Sequence, residues 1–505
     1  MAPITAKMKR GPTHPRGGLV ERQRLGIQDS LWLEMDRRNN LMVADVVVWT
    51  ASPVHLGRLR ALLIERFVER YPVFSSTAVR DSDGSWWWQT SENFAIESHF
   101  VTAALENPDD PEALQRLMST YRMQALDRSR PLWQVVVVER YLEGSAMIFR
   151  SHHCIADGMR MVQLAMSLFD AAPEGGAILA PPARTGGSRS EAKAGPRARR
   201  SPATSTGARL RSAPLGRYAR LNPLGAAHTL LGRSRRARSW LRDALAPALG
   251  ALDAVRKFLL GTRNDVTLWT GIAGAQKGIA WSEPLALPRV KSVAKAHQCT
   301  VNDVLVATVA CTLHDYLEAR QAHCSSVTFM VPVNIKPLDL TLPDTLGNEF
   351  ALVQLELPTD ESDPLHVVRI AKRRMDRIKR GNEAAIAFRL QEAIAGFSGG
   401  LYRAAVNLFT NRTLGVLTNV PGPPIPVYLA GSFVQSIVGW APVAGNQPMS
   451  FSICSYNGTV AVGIACDTAL VPNYQGIVGG FAAAFERIAA ATPGIGPLTA
   501  QVNVR

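Results

Sequence analysis

Two adjacent histidines, His152 and His153, precede the pair Asp157-Gly158 by three intervening residues, in a chain that has only 10 histidines among 505 residues. A histidine whose pKa is near its ordinary value can serve as a general base at neutral pH. The segment that contains them, "SAMIFRSHH", is typical of a strand, and successive side chains of a strand point to opposite faces. We therefore expect one histidine to face a reaction site and the other to be structural.

The residues that follow the histidines predict the start of a helix rather than further catalytic groups. Asp157 and Gly158 come directly before an apolar helical pattern, so Asp157 is expected to cap that helix or to pair with a charge, while Gly158 permits a tight turn. Cys154 lies beside His153, but neighbours on a strand point apart, and a buried, unreactive thiol is the commoner state. The other histidines form no spaced pair, so a metal site is not expected.

Strands and helices are predicted on both sides of these residues, which indicates a mixed α and β fold. β-Branched runs of strand length occur in the first half as "MVADVVVW" and "PLWQVVVVER". In the second half "VNDVLVATVACTLHDYLEAR" predicts a long buried helix, and strands are predicted at "SVTFMVPVNI", "EFALVQLELP", "LGVLTNVPG", "MSFSICSYNG" and "TVAVGIACD". Asn457-Gly458 between the last two strands is the signature of a tight hairpin.

The composition indicates a globular protein with a large core. Hydrophobic residues make up 47% of the chain and charged residues 19%, which excludes a disordered chain. A chain of 505 residues is too long for one compact core, so two large domains are predicted. The six cysteines form no CxxC pair, and no long apolar span or secretory signal is visible, so we expect reduced thiols in a cytosolic protein.

The positive charge is concentrated in one segment. Residues 184 to 257 contain 17 Lys or Arg against three acidic residues, whereas the whole chain has a net charge of +15. Residues 181 to about 214 are rich in Pro, Gly, Ser and Arg, which predicts a disordered linker. The next residues regain amphipathic helical spacing, which suits either a lipid surface or packing on the protein itself. Nucleic acid is not expected as a partner, because the first 30 residues of the basic segment contain no aromatic residue and no recognition motif is present.

The segment "HHCIADG" resembles the HHxxxDG motif of the CoA-dependent acyltransferase superfamily, which includes chloramphenicol acetyltransferase, plant acyltransferases and the condensation domains of peptide synthesis. Five further stretches narrow the resemblance to the bacterial wax ester synthase/diacylglycerol acyltransferase family. These are "IQDSLWLEMDRRNNLMV", "SRPLWQ", "TVNDVLVA", "GNEF" and "LTNVPGPP". The resemblance extends from about residue 25 to the end, apart from the basic linker.

This resemblance implies an α/β (α+β) fold of two similar chloramphenicol-acetyltransferase-like domains, each a mixed sheet with helices, that meet at a central tunnel. The expected divisions are a flexible N-terminus at 1–24, a first acyltransferase domain at 25–180, a basic linker at 181–262 and a second domain at 263–505. His153 is expected to be the general base of a direct acyl transfer, with His152 and Asp157 beside it. The implied substrates are long-chain acyl-CoA, as co-substrate without any cofactor, and diacylglycerol or a fatty alcohol.

Other residues in the resembling stretches are expected to support the site. Asn302 and Asp303 suit a helix N-cap pair, while the resemblance implies a role in shaping the tunnel or stabilising the oxyanion. Pro131, Leu132 and Trp133 suit a packed strand start. Glu34 stands at the position of the family's acidic residue, although it equally suits a solvated helix charge.

The resemblance also implies a location and leaves two rival functions open. The protein is expected in the cytoplasm, associated peripherally with an anionic membrane surface or with lipid inclusions. The rivals are a non-catalytic lipid-binding or scaffold protein of the same fold and a stand-alone condensation-type acyltransferase.

Overall fold

The computed structural model describes residues 21–179, 267–334, 346–348, 350–380, 387, 404, 406–408 and 410–496. The α-helices in these ranges are α1 (Ile27–Met35), α2 (Leu56–Leu63), α3 (Ala113–Arg122), α4 (Gly158–Ser167), α5 (Leu287–Ala296), α6 (Val301–Glu318), α7 (Pro364–Arg380) and α8 (Gln475–Ala491). The strands up to residue 177 are β1 (Arg22–Arg24), β2 (Val43–Thr50), β3 (Ser76–Arg80), β4 (Trp86–Thr90), β5 (Phe100–Ala103), β6 (Trp133–Tyr141), β7 (Gly144–His152), β8 (Asp170–Ala172) and β9 (Gly175–Ala177). Those that follow are β10 (Lys277–Trp281), β11 (Leu285–Ala286), β12 (Ser326–Asn334), β13 (Phe350–Pro358), β14 (Gly415–Pro421), β15 (Tyr428–Leu429), β16 (Ser432–Trp440), β17 (Met449–Tyr456) and β18 (Thr459–Asp467).

The first large sheet carries the histidines and has the strand order β5-β6-β7-β2-β16-β15-β8-β9. Its centre is antiparallel, with Val43 on β2 opposite His152 on β7. The β-branched residues of β2 and β6, and the apolar residues Met147, Ile148 and Phe149 of β7, fit a pleated and buried surface, which explains why these runs form strands. Strands β15 and β16 come from the second half of the chain, and β16 pairs with β2. The second half therefore completes the sheet that holds the histidine motif.

The second large sheet has the order β10-β18-β17-β14-β12-β13, with β11 also paired to β18. Strands β17 and β18 form the predicted hairpin, in which Tyr456 pairs with Thr459. Asn457 and Gly458 both have positive φ, at 44° and 79°, as a two-residue hairpin turn requires. Each large sheet has its own buried apolar cluster, so the mixed α and β architecture with two sheet-rich domains is confirmed.

Helix α6 is the long buried helix predicted from the sequence, but its cap differs from the prediction. The N-cap residue is Thr300, whose hydroxyl accepts a hydrogen bond from the Asp303 amide, while the Asp303 carboxylate accepts from the Thr300 amide. Asn302 is inside the first turn. The cap is thus a capping box formed by Thr300 and Asp303, which stand three residues apart as such a box requires. Of the expected pair Asn302 and Asp303, only Asp303 takes part in it.

Two expectations about the chain's organisation meet the structure only in part. Residues 1–24 were expected to be flexible, whereas Arg22–Arg24 form β1, which pairs with the tryptophan-rich β4. The basic linker at 181–262 lies outside the described residues, as does the amphipathic stretch that follows its first part. No helix among the residues that the structure describes is long and apolar enough to cross a bilayer.

Candidate active site

The backbone around the histidines is held at the end of β7 by two neighbouring strands. The His152 amide donates to the Leu132 carbonyl at 2.9 Å, and the His153 amide donates to the Met42 carbonyl at 2.8 Å. Pro131, Leu132 and Trp133 are all buried, and Trp133 begins β6. These three residues form the packed strand start that the sequence predicted, and through Leu132 they fix where β7 ends.

His153 is buried against aromatic rings and makes a side-chain hydrogen bond through one ring nitrogen. Its ring stacks on Trp32, with ring centroids 4.1 Å apart, and its Nδ1 lies 3.0 Å from the Asn348 Oδ1. Burial lowers the pKa of His153 to about 4, although the charge of Asp157 and the Asn348 hydrogen bond oppose this. The ring is therefore neutral at pH 7.

Asn348 comes from the second half of the chain and connects His153 to an acidic residue of α1. The Asn348 Nδ2 donates to the His153 carbonyl at 3.0 Å and to the Asp29 Oδ1 at 2.7 Å. One residue earlier, the Gly347 carbonyl accepts from the Asp157 amide at 3.1 Å. The "GNEF" stretch thus docks directly on the histidine motif.

His152 points away from these groups into a charged environment. Its Nδ1 accepts from the Cys154 amide at 3.2 Å, and its Nε2 lies 3.8 Å from the Asp36 Oδ2. The Asp36 carboxylate also accepts from the Met42 amide and from Arg128. Burial lowers the pKa of His152 even though Asp36 opposes it. The two histidines therefore contact different residues, as predicted, but β7 ends at His152 and His153 is the first residue of the turn that follows, so strand alternation alone does not account for the difference.

Asp157 and Gly158 begin helix α4. The Asp157 side chain accepts from the Arg160 amide at 2.8 Å, which confirms the predicted helix cap. Gly158 has no positive φ, and a Cβ added there would meet nothing within 4 Å. The expected tight turn at Gly158 is therefore wrong, because the residue has ordinary helical backbone and borders open space.

That space is a cavity of about 230 Å³ lined mostly by apolar side chains from both large sheets and from α4. His153, Asp157 and Gly158 lie on its wall. The apolar lining includes Val46, Met161, Ala165, Phe169, Phe350, Leu352, Val416, Val420, Ile437 and Cys454. A neutral histidine on the wall of an apolar cavity can remove a proton from a hydroxyl group held there, but with a pKa of about 4 it is a weaker base than the ordinary histidine that the sequence predicted.

Three other residues expected at the site lie elsewhere. Asn302 accepts from the Asn419 side chain at 2.8 Å, and Asn419 in turn lines the cavity, so Asn302 stands one residue behind the wall. Asp303 is fully buried in the capping box, 3.7 Å from Lys379. Glu34 accepts from the Trp86 indole at 3.0 Å and pairs with Arg80 at 3.2 Å, so it does not share the surroundings of His153.

The acidic residue that α1 brings to the site is Asp29, which the sequence reasoning missed together with Trp32 and Asn348. Positions 29 and 32 are three apart and share a helix face, whereas position 34 lies roughly 140° around the helix from position 29. Helical spacing could have shown that Asp29 and Trp32 act together. Asn348 lies in a stretch that was singled out, but its side-chain partners depend on the tertiary fold.

The thiol beside the histidines does not add a nucleophile. Burial raises the pKa of Cys154 well above the ordinary value, so the group stays protonated. Within the described ranges, no group of three or more His, Cys, Asp or Glu side chains is placed to hold a metal ion.

The geometry agrees with what comparisons with known proteins find. Residues 25–305 match the model of the wax ester synthase/diacylglycerol acyltransferase catalytic domain, and residues 346–489 match the WS/DGAT C-terminal domain. The chain is 27% identical over 416 residues to a probable diacylglycerol O-acyltransferase of Mycobacterium tuberculosis. The aligned region covers 80% of this chain and 81% of that protein.

Two solved structures share the fold. The wax ester synthase/diacylglycerol acyltransferase of Marinobacter aquaeolei VT8 has a TM-score of 0.63 at 19% identity and covers 92% of this chain and 98% of its own. A mutant of the starter condensation domain of the rhizomide synthetase RzmA, in complex with C8-CoA, has a TM-score of 0.55 at 12% identity, with coverage of 95% and 97%. The catalytic-domain match spans more than half of the sequence. The chain therefore belongs to the wax ester synthase/diacylglycerol acyltransferase family and is an acyltransferase.

Proposed function

We propose that the protein transfers a long-chain acyl group from acyl-CoA to the hydroxyl group of diacylglycerol, of a fatty alcohol, or of both, with His153 as the general base. The observation that carries this proposal is the position of His153. It is neutral, hydrogen-bonded through Nδ1 and set on the wall of an apolar cavity. The names of the related proteins supply diacylglycerol as the acceptor, and the resemblance of "HHCIADG" to the CoA-dependent acyltransferase motif supplies acyl-CoA as the donor.

The transfer needs one proton to move twice. As the acceptor oxygen attacks the thioester carbonyl, His153 Nε2 takes the hydroxyl proton and a tetrahedral oxyanion forms. The carbon–sulfur bond then breaks, the ester is released, and the imidazolium returns the proton to the coenzyme A thiolate. A positioned base contributes about 10²- to 10⁴-fold to such a step. No cofactor enters this sequence, because acyl-CoA is consumed as a substrate.

The surroundings of His153 suit an apolar acceptor. Apolar side chains of the wall can bury acyl and alkyl chains, which places hydroxyl and thioester in a space with little water. A cavity of about 230 Å³ is smaller than the roughly 300–1,000 Å³ of typical small-molecule pockets. It therefore suits the reacting ends of two substrates better than their whole chains.

The test is a two-substrate assay with purified protein. Palmitoyl-CoA is incubated with dioleoylglycerol, with hexadecanol, or with no acceptor, while released thiol is measured and the lipids are separated. We expect thiol release and a matching amount of ester only when an acceptor is present. Thiol release without ester would indicate a hydrolase, and no turnover with either acceptor would favour the lipid-binding scaffold. A product only with an amine acceptor would favour the condensation-type activity.

We also propose that the protein adsorbs to an anionic lipid surface, such as a membrane or a lipid inclusion, through the basic segment at residues 184 to 257. This segment lies outside the described residues, and its charge is the support for the proposal. Each basic residue near such a surface contributes about 1 kcal/mol, which salt weakens. Sedimentation with phosphatidylglycerol vesicles should therefore decrease with added salt and with the replacement of Arg233, Arg235, Arg236 and Arg238 by Gln. Binding that ignores both changes would contradict the proposal.

A further inference from the structure

We propose that Asp29 and Asn348 form a positioning pair that holds His153 in the tautomer with its proton on Nδ1, and so leaves Nε2 free to act as the base. This inference rests on the proposed function, since it explains how the base of that reaction is kept in its working form. Neither residue is proposed to touch the substrate.

The neighbours of the Asn348 amide fix its orientation. Its Nδ2 faces two oxygen atoms, the His153 carbonyl at 3.0 Å and the Asp29 Oδ1 at 2.7 Å. A carbonyl and an ionised carboxylate only accept hydrogen bonds, whereas an amide nitrogen only donates them. Rotating the amide by half a turn would set the Asn348 oxygen against two acceptors. The surroundings therefore allow one orientation of this side chain.

The orientation of the Asn348 amide determines which ring nitrogen of His153 carries the proton. With Nδ2 committed to Asp29 and to the His153 carbonyl, the Asn348 Oδ1 faces the His153 Nδ1 at 3.0 Å. This oxygen can only accept, so Nδ1 must carry the proton for a hydrogen bond to form. A neutral imidazole holds one ring proton, and Nε2 is then the unprotonated nitrogen. Thus Asp29 and the His153 carbonyl together orient Asn348, and the Asn348 oxygen then selects the tautomer of the ring.

The pair of Asp29 and Asn348 forms only in the assembled fold. Asp29 lies on α1, His153 follows β7, and Asn348 comes from the second half of the chain, 319 positions from Asp29. Burial raises the pKa of Asp29, whereas its hydrogen bonds with Asn348 lower it. A protonated Asp29 could donate as well as accept, but the His153 carbonyl would still require the same orientation of Asn348, so an ionised Asp29 strengthens the selection of the tautomer.

The direct test observes the tautomer without measuring activity. Deuterated protein with ¹⁵N-labelled histidine is studied by NMR at pH 7, and the signals of His153 are assigned by their loss in His153→Gln. In the wild-type protein we expect a protonated Nδ1 and an unprotonated Nε2. Asn348→Leu removes the Asn348 acceptor at similar volume and leaves the hydrogen bond of the ring with the backbone of His153 itself, so the two nitrogen shifts should move toward each other without becoming equal. Asp29→Asn should give a smaller change in the same direction, because the introduced amide can donate as well as accept.

Glu34→Gln is the matched control, since it makes the same acid-to-amide change on the same helix but away from His153. It should leave the His153 signals and turnover unchanged. Asn348→Leu should lower kcat by about tenfold or more, the range of one lost orienting hydrogen bond, with the KM for palmitoyl-CoA within about threefold of wild type. Thermal melts confirm that each variant is folded.

Two outcomes would overturn the positioning pair. One is an unchanged Nδ1–H tautomer in both folded Asn348→Leu and Asp29→Asn. The other is an equal disturbance in Glu34→Gln, which would show a general effect of α1. The proposed function fails by a separate result, namely an active and folded His153→Ala. The NMR spectra therefore test the pair even if another group proves to be the base.

Discussion

The surroundings of His152 and His153 differ although the two residues are adjacent at the end of β7. On the side of His152 the neighbours are Asp36 and Arg128, which hold the strand end through charge and hydrogen bonds. On the side of His153 the neighbours are the Trp32 ring, the Asn348 amide and an apolar cavity. The difference teaches that two adjacent identical residues can have different surroundings where a strand ends, because His152 is the last residue of β7 and His153 begins the turn that follows.

Removing the side chain on the cavity side should have the largest effect. If His153 is the base, His153→Ala should lower kcat by at least about 10²-fold, with the protein still folded. The measurement is ester formation from palmitoyl-CoA and hexadecanol at a folded fraction matched by circular dichroism. Wild-type activity in this variant would show that His153 is not the general base.

The next effect is on stability and depends on pH. The pKa of His153 is about 4, below the value of about 6.5 for histidine in an unfolded chain. Above pH 6.5 neither state binds the proton, and between about pH 6.5 and 4 only the unfolded chain binds it. The free energy of unfolding should therefore decrease as the pH falls through this range, by up to about 3 kcal/mol from this residue, and then level off.

The comparison of wild type with His153→Gln isolates this contribution. Other buried histidines such as His152 and His99, whose pKa values are also lowered by burial, titrate in both proteins and cancel in the difference. Urea unfolding at a series of pH values should give a flatter curve for the variant between pH 6.5 and 4. Parallel curves would show that His153 is not held neutral.

On the charged side, a substitution should affect stability more than chemistry. His152→Ala empties a buried position beside Asp36 and should lower the free energy of unfolding by about 1–3 kcal/mol. Per folded molecule, kcat should stay within about fivefold of wild type. A variant that melts like the wild type but is as inactive as His153→Ala would reverse the roles of the two histidines.

The sequence predicted the strands on both sides of this site because each has a local signal. β-Branched runs gave β2, β6 and β12, the apolar run around Ile148 gave β7, and Asn457-Gly458 gave the hairpin of β17 and β18. Strand β16 has a comparable composition, but its pairing with β2 of the first sheet is a tertiary choice that no local pattern encodes. The same limit applies to Asn348, whose partners lie 195 and 319 positions away.

The roles within the histidine motif were predicted unevenly for a physical reason. Capping of a helix acts over three residues, so the cap at Asp157 could be predicted. The different contacts of His152 and His153 were also expected, but the strand ends one residue earlier than that expectation required, and their roles in the reaction stay a prediction. Glu34 was chosen over Asp29 by position in a resembling stretch, although the two project from different faces of α1. The backbone angle of Gly158 is set by how β7 meets α4, which residue type alone does not show.

Gly158→Ala should have the smallest effect and tests whether the cavity side tolerates a change that leaves the base in place. Gly158 begins α4 without a positive φ, and its added methyl group would meet nothing within 4 Å. Alanine loses less backbone entropy than glycine in a helix, by about 0.5–1 kcal/mol, so the free energy of unfolding should stay unchanged or rise by less than about 1 kcal/mol.

Gly458→Ala is the matched control for this substitution. A Cβ at Gly458 also has open space, but its φ of +79° disfavours an L side chain, so this variant should lose about 1 kcal/mol or more of the free energy of unfolding. Urea unfolding of the two variants side by side separates backbone angle from available space. Because Gly158 borders the cavity, its methyl group should lower ester formation by less than about tenfold. A strongly destabilised Gly158→Ala would mean that the backbone angles at this position require glycine. The open space beside Gly158 would then not indicate that the cavity needs room there for the substrate.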